Sequence, residues 1–254
     1  MYVTHLIDLQ LPTSEAPLYD LIDKVYPDIK LLHSKLEDYR RHYFSERVIL
    51  TARNTDVDEI NNAVLARLCG EEKTYLSADS AFQDGAIFDP SVPQEYLNTV
   101  NLPGMPLHNT TLKVGCPIIL IRNLEPAVGL CNGTRMIVTI LKERVIEATI
   151  LMGSHAGKRA FIPRVSLDTP ASSGLPFTLR RRQFPIRIAF SMTINKSQGQ
   201  SLRIVGLHLL APVFAHGQLY VALSRCTDYR HLHILLPSDS NGNTDNVVYK
   251  EVLT

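Results

Sequence analysis

Between Pro185 and Pro237 three short apolar runs alternate with polar connections, a rhythm that few folds accommodate. Ile186–Met192 is too short for a core helix and reads as a strand buried on both faces. A glycine-centred polar turn follows from Thr193 to Ser201, and then a second run, Ile204–Leu210. Pro212 suits the first turn of a helix, where a missing N–H leaves no bond unmade. Ala215, Leu219, Ala222 and Leu223 then form one apolar stripe, and Gln218 and Arg225, seven apart, share the polar stripe opposite. This helix is predicted to end at Ser224-Arg225, before the third run, Leu232–Leu236. Strand, loop, strand, helix, strand is the pattern of an α/β sheet covered on both faces. Ligands of such sheets sit where strands end and loops begin.

The rest of the chain is read around that frame. Val48–Thr51 is predicted as a further short buried strand, followed by a helix with Val57, Ile60, Val64, Leu65 and Leu68 on one side. Asn54 or Thr55 is placed to cap it, Asp58 to return the bond, and Gly70 to close it. Leu18–Tyr26 reads as an amphipathic helix stopped by Pro27. Residues 77–112, rich in Pro, Asp, Asn and Ser, read as loop and short helix. From Cys116 to Gln183 the rhythm turns to short strands: Cys116–Ile121, Met136–Leu141, Val145–Leu151 and Ala160–Ile162, with Asn132-Gly133 as a tight turn. That spacing suggests a small antiparallel barrel. Arg180-Arg181-Arg182 is the densest basic cluster, either a solvated strand end or a phosphate contact.

The stretches TINKSQGQSL and FAHGQLYVALSR resemble the last two helicase motifs of the petite-integration-frequency family of DNA helicases, which includes the helicase part of rolling-circle (helitron) transposons. ILTARNTDVDEINN resembles the first motif of that family's second motor domain, and NLPGMPLHNTTLKVG with GLCNGTR resembles its small inserted domain. Ser191 and Cys226 depart from the pattern, standing where small apolar residues are expected. The resemblance implies a second RecA-like motor domain at residues 45–115 and 184–254. It also implies an inserted barrel of the Src-homology-three type at 116–183, and residues 1–44 as a linker from a first motor domain. It implies the C-terminal half of an ATP-dependent 5′-to-3′ DNA helicase, with family roles in DNA repair, recombination and telomere maintenance. Arg225 then matches the arginine finger, whose planar, permanently charged guanidinium meets charge developing on the γ-phosphate. Gln198, Gly199, Gln200, Ser201 and Arg53 match ATP contacts; Thr193, Asn195 and Lys196 match single-stranded DNA contacts. His216, with Tyr220 on the same helix face, and Arg180, Arg181 and Arg182 join the DNA candidates.

A phosphate-cradling loop needs GxxxxGK followed by Ser or Thr. The nearest approach, Gly153 to Gly157-Lys158-Arg159, is one residue short, lacks the hydroxyl and follows a hairpin. Asp58-Glu59 lies inside a helix, so it is not placed to hold a metal, and no metal ligands are expected of this chain. ATP and Mg²⁺ are therefore expected only together with a first motor domain, joined in cis in the family, and the chain alone is expected to be inactive. The alternative is a non-catalytic nucleic-acid-binding remnant of a transposon helicase. A net charge of +1 excludes a global basic field, so any nucleic-acid site must be local. The four cysteines form no CxxC pair and are expected as buried thiols in a reducing compartment. No apolar run approaches the roughly 20 residues of a membrane span. MYVTHLIDLQLP has no basic segment before an apolar core, so no signal peptide is expected. The expected location is intracellular and, by the resemblance, nuclear, with no membrane partner.

Overall fold

The computed structural model describes residues 16–83, 86–87 and 92–249; the opening MYVTHLIDLQLP, on which the signal-peptide reading rests, lies outside them. The described residues form two compact units, one from residues 16–69 with 189–249 and the other from those between 70 and 188.

The first unit is built on four parallel strands, ordered Ser191–Thr193, Arg47–Thr51, Ile204–His208 and Leu232–Leu235. Arg47–Thr51 is interior to the sheet, and Val48, Ile49, Leu50 and Thr51 are all buried, as a strand covered on both faces requires. On one face lies the helix Pro17–Val25, which buries Leu21, Ile22 and Val25. It approaches closely because Gly206 has no side chain: a Cβ there would stand 2.8 Å from Val25 Cγ2. Tyr26, Phe44 and Phe190 pack with ring centroids 5.7–6.2 Å apart, and the Tyr26 hydroxyl donates to the Phe190 carbonyl. The segment expected as a linker therefore contributes, from Pro17 to Ser45, to this unit's own core.

The helix Asn54–Arg67 buries Ile60, Asn61, Val64 and Leu65. Its N-cap is Arg53, with no side-chain capping bond, and it ends at Leu68 rather than Gly70. Asn61 accepts from the Ser191 N–H at 2.9 Å and donates to the Ser191 carbonyl at 3.4 Å, pinning the short outer strand. The helix predicted from Pro212 begins only at Gln218 and runs to Leu223. Gly217, in the left-handed region at φ 72°, interrupts it, and the buried Gln218 Oε1 accepts from the Phe214 and Ala215 amides at 3.0 and 3.4 Å. Gln218 thus shapes the turn into the helix instead of lining an exposed stripe.

The second unit is antiparallel. Its largest sheet has the order Ile186–Ile188, Pro117–Leu120, Arg135–Leu141, Val145–Ile150, Arg159–Pro163. A second sheet orders Val165–Asp168, Thr178–Gln183, Ala78–Gln83 and Ala86–Ile87, and Glu72–Leu76 pairs with Asn109–Lys113. Residues 70–115, expected within the motor domain, are tied here by these pairings, so the division falls at 69/70 rather than 115/116. The run Ile186–Met192 also serves both units: Ile186–Ile188 joins the antiparallel sheet and Ser191–Thr193 the parallel one. All four cysteines are free, but only Cys116 is buried; Cys69 is exposed and the other two are half-buried. No helix among the described residues is long and apolar enough to cross a membrane.

Candidate functional site

The candidate residues of the first unit fall at two ends of its sheet. At the carboxyl end, Thr51 lies in register with both Thr193 and His208. The Thr51 hydroxyl donates to Asp56 Oδ2 at 3.0 Å, and His208 Nδ1 stands 3.9 Å from the same oxygen. Burial lowers the His208 pKa, opposed by the Asp56 charge. Arg53 is exposed just beyond this edge, and half-buried Thr193 opens the short 3-10 turn Ile194–Ser197, which leaves Asn195 and Lys196 exposed.

From there the chain runs back toward the amino end. Ser197 is buried and its hydroxyl donates to the Ile194 carbonyl at 2.6 Å. Gly199 takes φ +80°, with open space where a Cβ would stand, and Gln198 and Ser201 are exposed beside it. Leu202 and Cys226 form a parallel bridge just before the strand Ile204–His208 begins, with the Leu202 N–H donating to the Arg225 carbonyl at 2.9 Å. The half-buried Arg225 side chain donates to the Gln200 carbonyl at 2.9 Å, the Val221 carbonyl at 3.0 Å and the Ser224 hydroxyl at 2.9 Å. Two motifs 25 residues apart are joined by one guanidinium. Arg53, by contrast, shares the carboxyl end with Thr193, Asn195 and Lys196, away from Arg225.

A cleft at the amino end is lined by Glu46, Arg203, Asp228, Arg230 and His231. Arg230 holds the Asp228 carboxyl down at about 2 through its side-chain hydrogen bonds, so this pair stays ionised. His216 lies before the helix rather than on it; its ring stacks on Tyr249 at 5.3 Å and accepts from the Tyr249 N–H at 3.0 Å. Tyr220 is exposed on the helix.

The arginine cluster belongs to the second unit and does not act as a group. Arg181 is fully buried: its guanidinium binds Asp79 at 2.7–3.1 Å and the carbonyls of Leu97, Val100 and Pro106 at 2.9–3.0 Å. It is withdrawn from any phosphate, a correction to the expected basic contact. Strand alternation is the reason, since the middle residue of three must face the opposite side. Arg180 grips Asp168 through two bonds of 2.7 Å, and Arg182 is exposed. Asp79, the partner that settles Arg181, was legible in sequence only as a loop residue.

Among the described residues, no group of three or more His, Cys, Asp or Glu is placed to hold a metal ion. The near-miss at Gly153–Lys158 is a strand connection with Gly153 and Gly157 at positive φ, and it opens no helix. These residues fit one side of a nucleotide, through the open turn at Gly199 and through Arg225, and do not fit a magnesium site.

Residues 95–141 match the family model described as DNA helicase Pif1, 2B domain. The chain is 35% identical over 189 residues to ATP-dependent DNA helicase PIF1 of Rattus norvegicus, a match covering 73% of this chain and 27% of that protein. Its fold is similar to the crystal structure of the Pif1 helicase from Candida albicans, with a TM-score of 0.60 and 23% identity over 93% of this chain and 55% of that one. It is also similar to a Bacteroides Pif1 helicase in complex with ADP-AlF3 and ssDNA, with a TM-score of 0.58 and 20% identity over 95% of this chain and 49% of that one. The chain spans about a quarter of the length of the curated relatives first matched. Family model and relatives agree: over 73% of its length the chain is similar to DNA helicases of the Pif1 family.

Proposed function

We propose that this chain is the C-terminal motor half of an ATP-dependent helicase that moves 5′-to-3′ on single-stranded DNA. The observation that carries the reading is the bond from Arg225 to the Gln200 carbonyl, which holds the proposed arginine finger against the proposed nucleotide loop. A first motor domain, joined in cis, supplies the phosphate loop and the Mg²⁺ ligands. ATP bound there provides the phosphoryl group whose transfer drives the motor. Within this chain, Arg225 offers a fixed, permanent charge to the oxygens that gain charge in the transition state. Gly199 lets backbone approach the nucleotide without a side chain intervening, and Gln198, Gln200 and Ser201 orient it. Thr193, Asn195 and Lys196 face the single strand at the carboxyl end of the sheet. The meander Pro117–Pro163 of the second unit would be the inserted barrel of the Src-homology-three type. Nuclear work in repair, recombination or transposon movement follows from that reading.

The test joins this chain to the first motor domain of a relative and measures ATP turnover with and without single-stranded DNA. Turnover should appear only in the joined protein and rise with single-stranded DNA, and it should drive strand displacement from a 5′-tailed duplex. Turnover by the chain alone, or none in a folded fusion, would overturn the proposal.

A further inference from the structure

In the second unit the strand Arg159–Pro163 forms one edge of the five-stranded sheet, and its burial alternates. Ala160 and Ile162 face the core, while Arg159, Phe161 and Pro163 face solvent. Phe161 is 62% exposed, a large apolar ring with no core to join. Glu147 is its direct neighbour across the sheet, and Ile140 lies opposite Glu147 on the next strand. A register break between Val138 and Ile140 turns Ile140 to this face, where it is 39% exposed.

The charges around the ring do not cancel. Glu147 is paired with Arg159 at 3.1 Å and accepts from the Thr139 hydroxyl at 3.2 Å. Glu143 is paired with Lys73 at 2.5 Å. Lys142, Arg144 and Lys158 are exposed and make no ion pair among the described residues. The register Val145↔Pro163 and Thr149↔Arg159 puts Lys142 and Arg144 at one end of the edge strand and Lys158 at the other. An exposed ring thus sits between two sets of uncompensated cations.

We propose that this face is a stacking platform for single-stranded nucleic acid, with Phe161 taking a base and Lys142, Arg144 and Lys158 meeting phosphates on either side. Every base has a π-face and every nucleotide a phosphate, so a ring flanked by cations matches a strand without regard to sequence. A protein partner would have to desolvate three unpaired cations to cover the ring, which disfavours it. The inference rests on the reading of this chain as a DNA motor, and it moves the second unit's nucleic-acid contact from the arginine cluster to the meander's edge.

The test is fluorescence anisotropy of the full chain with a labelled oligothymidine across a salt series. Phe161→Ala should weaken binding about tenfold and Phe161→Tyr should retain it. Replacing Lys142, Arg144 and Lys158 together by Gln should flatten the slope of log affinity against log salt by about 2. Photocross-linking of a halogenated uracil strand should tag the peptide carrying Phe161. Thermal melts matching the parent chain establish that the variants are folded. If Lys196→Ala weakens binding while Phe161→Ala leaves it unchanged, the platform is wrong and the motor reading stands. If the parent chain binds no single strand, the platform falls, and the motor reading is decided by turnover of the joined protein. Release of a bound protein by Phe161→Ala, with nucleic-acid affinity unchanged, also overturns the platform.

Discussion

Arg225 shows how one side chain is prepared by its surroundings. A lone arginine after a helix ordinarily does no more than stabilise the helix end. Here one bond ties its guanidinium to the Gln200 carbonyl of the proposed nucleotide loop, and two more tie it to Val221 and Ser224 at its own helix end. In a protein joined to a first motor domain, Arg225→Ala should lower kcat about 10³-fold or more and leave the KM for ATP nearly unchanged, in steady-state assays with saturating single strand. Lysine should restore little, because a point charge does not span two phosphate oxygens. Because the side chain is also bonded to two carbonyls, the alanine variant should lose about 1 kcal/mol in a denaturant melt. His208 makes a second prediction at this scale. Burial holds its pKa below the ordinary 6.5, against the opposing pull of Asp56 and Glu59, so the folded chain binds fewer protons than the unfolded one. Stability is then full above about pH 6.5 and falls as the pH drops through the lower folded value. His233, also lowered by burial and by Lys24 and His231, acts in the same direction. Urea midpoints at about pH 7.5 and 5.5 should show a loss that His208→Gln reduces; an equal loss in the variant would assign the dependence elsewhere.

At the scale of elements, the contact between the helix Pro17–Val25 and the strand Ile204–His208 depends on one missing side chain. A Cβ at Gly206 would meet Val25 at 2.8 Å, Leu21 at 3.1 Å and Ile49 at 3.2 Å. Gly206→Ala should therefore destabilise the unit by about 1–3 kcal/mol through overpacking, read from chemical denaturation. Leu21→Ala should cost less in that background than in the parent chain, because the side chain that it removes is one of the crowded ones. Equal costs would mean that the helix does not press on this strand. The arginine strand Thr178–Gln183 makes the complementary point. Arg180 and Arg182 face solvent while Arg181 is enclosed by Asp79 and three carbonyls. Three adjacent positive charges read as a patch along the sequence, yet the pleat sends the middle one to the other face.

On the scale of the whole molecule, the two units differ in chemistry as well as topology. The parallel unit gathers the stretches that resemble helicase motifs at the two ends of its sheet, and the antiparallel unit holds the 2B match at residues 95–141. The sequence by itself determined the family resemblance, the α/β rhythm, the strands Arg47–Thr51 and Ile204–His208 to within a few residues, and the KSQGQS turn and Arg225 as candidates. Those signals are local: apolar runs of strand length, a glycine where backbone must turn, and motif residues at fixed spacing. Only the tertiary structure decided that residues 17–45 complete the core of the parallel-sheet unit, that Ile186–Met192 is shared between two sheets, and that the helix waits for Gln218. It also decided that Arg181 is structural while Phe161 is exposed. Two of those outcomes depend on a partner distant in sequence: Gly206 for the first helix and Asp79 for Arg181. Periodicity states that a residue will be buried or exposed with its neighbours; it does not say against which strand, because long-range pairing is set by the fit of whole surfaces.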